Sequence, residues 1–212
     1  MTEGNFKHLL IDGLSVSNLS VRHVLIGHVN QLLAGLSASW RFTVLLCHAN
    51  SDLHAALASG IEKYLVPIGS GWPARFAWMA RHGGSLCREL KVDASFSPSG
   101  LLSAGFAGPQ IVLAQNPWPL VPGMAKGAER LKASLQRREF ARAQRDARVM
   151  VFNSRYMHQL YAAELGPRRS ESVIAYQGID ESLFSLGSQA PGVGQRQLMV
   201  LSVSVMARPQ AV

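Results

Sequence analysis

Short apolar runs alternate along this chain with stretches in which apolar residues return every three or four positions. Residues 8–12, 42–47, 63–68, 94–96, 110–114, 149–152 and 172–176 are runs of the first kind. The run FTVLLC at 42–47 is apolar almost without a break, as in a strand buried on both faces. Helical patterning covers residues 20–36, a short piece at 52–58, a segment from the break at 69–73 to about residue 90, a long charged stretch at 126–145, and 155–165. A Gly/Ser-rich crossover separates the fourth and fifth strands. Strand alternating with helix predicts an α/β fold, a doubly wound and mainly parallel Rossmann-like sheet with helices on both faces.

The segment 149–184, VMVFNSRYMHQLYAAELGPRRSESVIAYQGIDESLF, is the most informative stretch. Its apolar run stops at Asn153-Ser154, residue types that cap a helix by accepting its orphan amide hydrogens. Apolar positions follow at Tyr156, Met157, Leu160, Tyr161 and Leu165. Gly166-Pro167 closes the helix, since glycine accepts a positive φ and proline cannot continue the ladder. A second apolar run leads into Gln177-Gly178-Ile179-Asp180, and Phe184 marks the exit.

These residues resemble the end of the N-terminal domain of retaining glycosyltransferases of the GT-B fold, the "group 1" or family-four type. In that family a strand ending in Ser/Thr, a helix ending in Leu-Gly and a Val-Ile-x-x-Gly-(Ile/Val)-Asp-x-x-x-Phe segment follow in order. Ser154, Leu165-Gly166, Val173-Ile174, Gly178-Ile179-Asp180 and Phe184 fill those places, with Gln177 where Asn or His is commoner. The resemblance implies an acceptor-side domain over residues 1–185, a linker at 186–197, and at 198–212 the first strand of a C-terminal donor-binding domain, where Leu201-Ser202-Val203-Ser204 matches the family's opening strand. That final strand is open to a second reading, a return onto the first sheet; truncation after the start of a second domain is the expectation. The implied activity is transfer of a sugar from a nucleotide-sugar donor to a glycan or lipid-linked acceptor. The donor would be a substrate held mainly by the other domain, no metal or other cofactor is implied, and the isolated chain is expected to be inactive. A non-catalytic Rossmann-like binding module, completed by a separate donor-binding chain, is the alternative.

Ligands of doubly wound sheets bind outside the carboxyl ends of the strands. In the loop after the first strand, family members often carry Gly-Gly; Ser17-Asn18 stands there, able either to bond an acceptor hydroxyl or to cap the next helix. After the fifth strand, Gln115-Asn116-Pro117-Trp118-Pro119 combines amides that read hydroxyls with a stiffened loop and an aromatic face for a sugar. The acceptor-binding candidates are therefore Ser17, Asn18, Gln115, Asn116 and Trp118. The resemblance places Asn153, Ser154, Gly178 and Asp180 at the cleft or hinge. No catalytic residue emerges from spacing. Cys47-His48 reads as strand-end punctuation, His48 and His54 lack further metal ligands, and Gly69-Ser70-Gly71 is not a phosphate-binding Walker loop.

Composition narrows the class further. With 212 residues, 48% hydrophobic and 16% charged, the chain is globular and long enough for one good core. Two cysteines make no disulfide framework, the N-terminus MTEGNFKHLLIDG is not a signal peptide, and the apolar stretch 21–36 is broken by Arg22, His23, His28, Asn30 and Gln31. A cytoplasmic location follows, with a peripheral one at the membrane's inner face suggested by charge. Net charge is +8, and the stretch 126–148 holds eight basic residues. At 100° per residue, Arg130, Arg137, Arg138, Arg142, Arg145 and Arg148 fall within an arc of roughly 140°. That arc is either the solvated face of a crossover helix or a dock for anionic headgroups or a lipid-linked phosphate. Nucleic acid is not expected as a partner, since no aromatic interleaving accompanies the charge.

Overall fold

The computed structural model describes residues 6–16, 19–69, 72–127 and 129–176. Seven strands lie in one sheet, β1 (Lys7–Asp12), β2 (Trp40–Cys47), β3 (Glu62–Val66), β4 (Ala94–Ser97), β5 (Gln110–Ala114), β6 (Val149–Phe152) and β7 (Glu171–Ile174). Their order is β3-β2-β1-β4-β5-β6-β7, and every pairing is parallel. The expected doubly wound Rossmann-like α/β fold is present. The chain winds outward from β1 to β3, crosses back, and winds the other way from β4 to β7.

That reversal decides which face each helix covers, because right-handed crossovers in opposite directions lie on opposite faces. Helix α1 (Leu19–Leu36) and the single turn α2 (Leu53–Ala56) cover Leu9, Ile11, Phe42, Val44, Leu46 and Phe96. On the other face, α3 (Trp72–Trp78) runs through a π-turn (Met79–Gly83) into α4 (Gly84–Glu89), over Leu10, Leu45, Cys47 and Val66. Helices α5 (Glu129–Asp146) and α6 (Arg155–Leu165) cover Val112, Met150 and Phe152 on that same face, with Phe140, Tyr161 and Phe152 packed ring to ring. Successive strand side chains alternate between these two cores, so a strand with both faces covered reads as a near-continuous apolar run.

One buried polar chain joins β1, β2 and β3. His8 pairs through Nδ1 with the Leu90 carbonyl at 2.7 Å and through Nε2 with Thr43 Oγ1 at 2.8 Å; the Thr43 hydroxyl reaches Glu62 Oε2. Several elements differ from the expected bounds, by two residues or more in β3, α5 and β7. Strand β3 stops at Val66 because Pro67 has no N–H to offer, and Ile68 N–H turns back to the Val66 carbonyl at 2.8 Å. Helix α5 starts at Glu129 rather than at 126 because Gly127 has φ +51, outside the right-handed helical region. Strand β7 spans Glu171–Ile174, ending two residues before the run expected to reach Tyr176. The linker at 186–197 and the final strand at 198–203 lie outside the described residues.

Candidate functional site

Strands β1 and β4 are the neighbours between which the winding reverses, the position where open α/β sheets hold their ligands. Loops after the strands build the rim, and two amide side chains staple them in pairs. Asn50 is buried at 1% exposure; its Nδ2 donates to the carbonyls of Gly13 and Val16, and its Oδ1 accepts the Cys47 N–H. This locks the loop after β1 to the turn after β2. Gly13 fits there because a Cβ would lie 2.6 Å from the Leu45 carbonyl oxygen. On the other side of the reversal, Gln115 Nε2 donates to the Pro98 carbonyl at 2.7 Å, tying the loop after β5 to the loop after β4.

Between the staples lies a small cavity of about 30 Å³. Asp12 from the end of β1, Arg75 from α3 and Ser99 from the loop after β4 bring polar groups to it, against Leu14, Met79 and Leu102. Asp12 and Arg75 are 7% and 6% exposed. Asp12 Oδ1 accepts the Leu14 N–H at 3.1 Å. Burial pushes the Asp12 carboxyl up to about 6, while the Leu14 amide and the charge of Arg75 pull the other way. Arg75 Nε is buried without a hydrogen-bond partner. A thiol stands nearby: burial raises Cys87 to about 11, and the charge of Asp12 adds to the rise. That cysteine is a packing residue, since nucleophilic cysteines need a depressed pKa.

The π-turn begins about one turn after Arg75. It seats the helix so closely on the β4–β5 crossover that a Cβ on Gly83 would lie 2.5 Å from the Ala104 carbonyl, and one on Gly84 2.8 Å from that of Gly105. Single π-turns within helices are frequent at functional sites.

The residues expected to bind an acceptor fall elsewhere on the same edge. Asn116 is exposed, and its Oδ1 accepts the Trp118 N–H at 3.1 Å, forming the turn that presents the tryptophan. Trp118 is half-buried, with Lys132 Nζ 5.6 Å from its ring centroid. Gln115 serves the staple described above. Ser154 caps α6, accepting the Met157 N–H at 3.2 Å; Asn153 N–H reaches the Ala114 carbonyl, holding the loop after β6 to β5. Ser17, Asn18, Gly178 and Asp180 lie outside the described residues. Among the arginines on α5 and just beyond it, Arg137 bridges to Glu164 at 2.9 Å, Arg145 to Asp146 at 2.7 Å, and Arg142 approaches Glu139 at 3.8 Å. Arg130, Arg138 and Arg148 are exposed. Among the described residues no group of three His, Cys, Asp or Glu side chains is placed to hold a metal, and no helix is long and apolar enough to cross a membrane.

Asp12, Arg75 and Asn50 were not singled out from sequence. For Asp12 a signal existed, a carboxylate closing an otherwise apolar strand. For Arg75, within WPARFAW, none did, since its burial depends on how the helix is seated.

The fold is that of a Rossmann-like α/β domain. No protein-family model matches the chain, and no curated protein does. Among solved structures, a glycosyltransferase from Rickettsia africae ESF-5 is similar over 86% of this chain and 47% of its own, with TM-score 0.49 and 11% sequence identity. This chain thus spans about half of that protein's length.

Proposed function

We propose that this chain is the acceptor-side half of a GT-B glycosyltransferase, acting on a glycan or lipid-linked acceptor with a nucleotide-sugar donor held by a second domain. The observation that carries the reading is the order and placement of the motif residues on β6–α6–β7. Ser154 caps α6, Leu165-Gly166 ends it with Gly166 at φ +88, and Val173-Ile174 lies on β7 beside β6. Retaining transfer, the family-four type and the inactivity of the isolated chain belong to the same proposal. A glycosyl-transfer site lies in a cleft between two domains, so half a cleft lacks the preorganised electrostatics and water exclusion that the reaction needs.

In this reading the loop after β5 receives acceptor. Trp118 offers an aromatic face, Asn116 an amide at the rim, and Lys132 a cation over the Trp118 ring, a combination suited to a sugar bearing a phosphate. Saturation-transfer NMR of the full chain with a panel of oligosaccharides and glycosyl phosphates tests it. Binding should be weakened about tenfold or more by Asn116→Ala or Trp118→Ala, the loss of one good contact, with melting temperatures within a few degrees of the parent. Absence of binding across the panel, or unchanged binding in both variants, would overturn the assignment.

A further inference from the structure

Arg75 is an arginine without a counterpart. A guanidinium carries five N–H donors and keeps its charge. Buried charges are normally paired and hydrogen-bonded, because leaving them unmatched forfeits solvation without return. Arg75 is 6% exposed, makes no hydrogen bond or ion pair with the described residues, and has its Nε buried and unpartnered at the cavity. Asp12 acts on it electrostatically from beyond ion-pairing distance and already accepts the Leu14 N–H. The charge is therefore matched only at a distance, while its donors face a space of about 30 Å³. A water needs roughly 10–15 Å³ measured this way, so the space takes about two ligand oxygens.

We propose that Arg75 and Asp12 form a binding site for the oxyanion of a small hydroxylated molecule, with the anionic oxygens on the Arg75 guanidinium and a neighbouring hydroxyl donating to Asp12. A guanidinium fork matches two oxygens of a phosphoryl or carboxylate group at once. A lone anion would meet repulsion from the Asp12 carboxylate. A ligand carrying a hydroxyl beside its anionic group gives that carboxylate a donor instead. The site thus favours a polyol phosphate or a sugar acid over a bare ion. Apolar walls from Leu14, Met79 and Leu102 exclude water from the pair and strengthen both contacts. The site stands independently of glycosyl transfer, and its ligand is testable with no donor present.

Isothermal titration and thermal melting of the full chain decide it, with sulfate, glycerol 3-phosphate, glucuronate and glucose as probes at constant ionic strength. Glycerol 3-phosphate and glucuronate separate phosphoryl from carboxylate ligands; glucose reports hydroxyls alone. Tighter binding of either hydroxylated anion than of sulfate or glucose is expected. Arg75→Met should weaken that binding at least tenfold, and Arg75→Lys should restore part of it, since the charge returns without the fork. If Arg75→Met fails to fold, Asp12→Asn decides instead: it should tighten sulfate binding by removing a like charge and narrow the preference for the hydroxylated anions. No binding of either hydroxylated anion, equal affinity in Arg75→Met, or a selectivity unmoved by Asp12→Asn would overturn the site.

Discussion

A carboxylate at the end of a strand buried on both faces sets the pH behaviour of this molecule at the residue scale. Asp12 titrates near 6 in the folded chain, against 3.8 when unperturbed, because burial disfavours its charge more than the Leu14 N–H and Arg75 favour it. An acid whose folded pKa is raised binds more protons folded than unfolded over that interval. Its contribution to stability is therefore greatest below about pH 4 and declines as pH climbs to about 6. The full effect is about 3 kcal/mol at 1.36 kcal/mol per unit. Asp12→Asn keeps an oxygen for the Leu14 amide and removes the buried charge. It should stabilise the chain near neutral pH, by less than that figure because Arg75 loses its attraction, and change little near pH 4. Urea unfolding at the two pH values checks this. Destabilisation at neutral pH would mean that Arg75 needs the charge more than burial opposes it.

At the scale of elements, the helix that carries Arg75 is closely seated. The π-turn Met79–Gly83 begins about one turn beyond Arg75 and lets Gly83 and Gly84 approach the 104–105 backbone, where Gly105 itself has φ +81. Gly83→Ala places a methyl carbon against backbone that cannot move aside. An overpacking penalty of about 1–3 kcal/mol is expected, together with weaker oxyanion binding as the helix lifts; Gly69→Ala, with nothing within 4 Å of the added carbon, is the control. An unchanged melting temperature in Gly83→Ala would show that the helix relaxes freely. Such seating marks the limit of what sequence discloses. Strand alternation and apolar runs located all seven strands, since a parallel sheet covered on both faces leaves no other pattern. Turn chemistry announced the Ser154 cap and the Gly166 stop. The end of α4 at Glu89 lies within one residue of the expected stop near 90, although Lys91 rather than a glycine takes the positive φ, 52°. The loops holding Asn116 and Trp118 were legible as polar punctuation at a strand end. The cavity was not, since Arg75 and Asp12 lie 63 positions apart and meet only through the winding of the sheet.

For the whole molecule, the distribution of charge links the basic face to the proposed acceptor loop. Net charge is +8, and α5 displays Arg130 and Arg138 beside exposed Leu131 and Leu135, with Arg148 just past its end. Arg142 and Arg145 are partly neutralised by Glu139 and Asp146, so Arg130, Arg138 and Arg148 supply most of the field. Lys132 stands on the first turn of the same helix with its ammonium over Trp118, about 80° round the axis from the nearest arginine of this basic face, so the loop after β5 flanks the face without lying on it. Each exposed cation near an anionic leaflet contributes about 1 kcal/mol, and the two leucines add apolar area that salt does not screen. We therefore expect cosedimentation with phosphatidylglycerol-containing vesicles at low salt, little with zwitterionic ones, and a marked loss as added salt shortens the screening length. Replacing Arg130, Arg138 and Arg148 together by Gln should abolish the preference for anionic vesicles while leaving the fold intact, because none of the three bonds to the core. Leu131→Ser should weaken what binding persists at high salt. Equal sedimentation with both vesicle types, or a triple variant that binds like the parent, would return this face to solvent and leave the acceptor loop to soluble glycans.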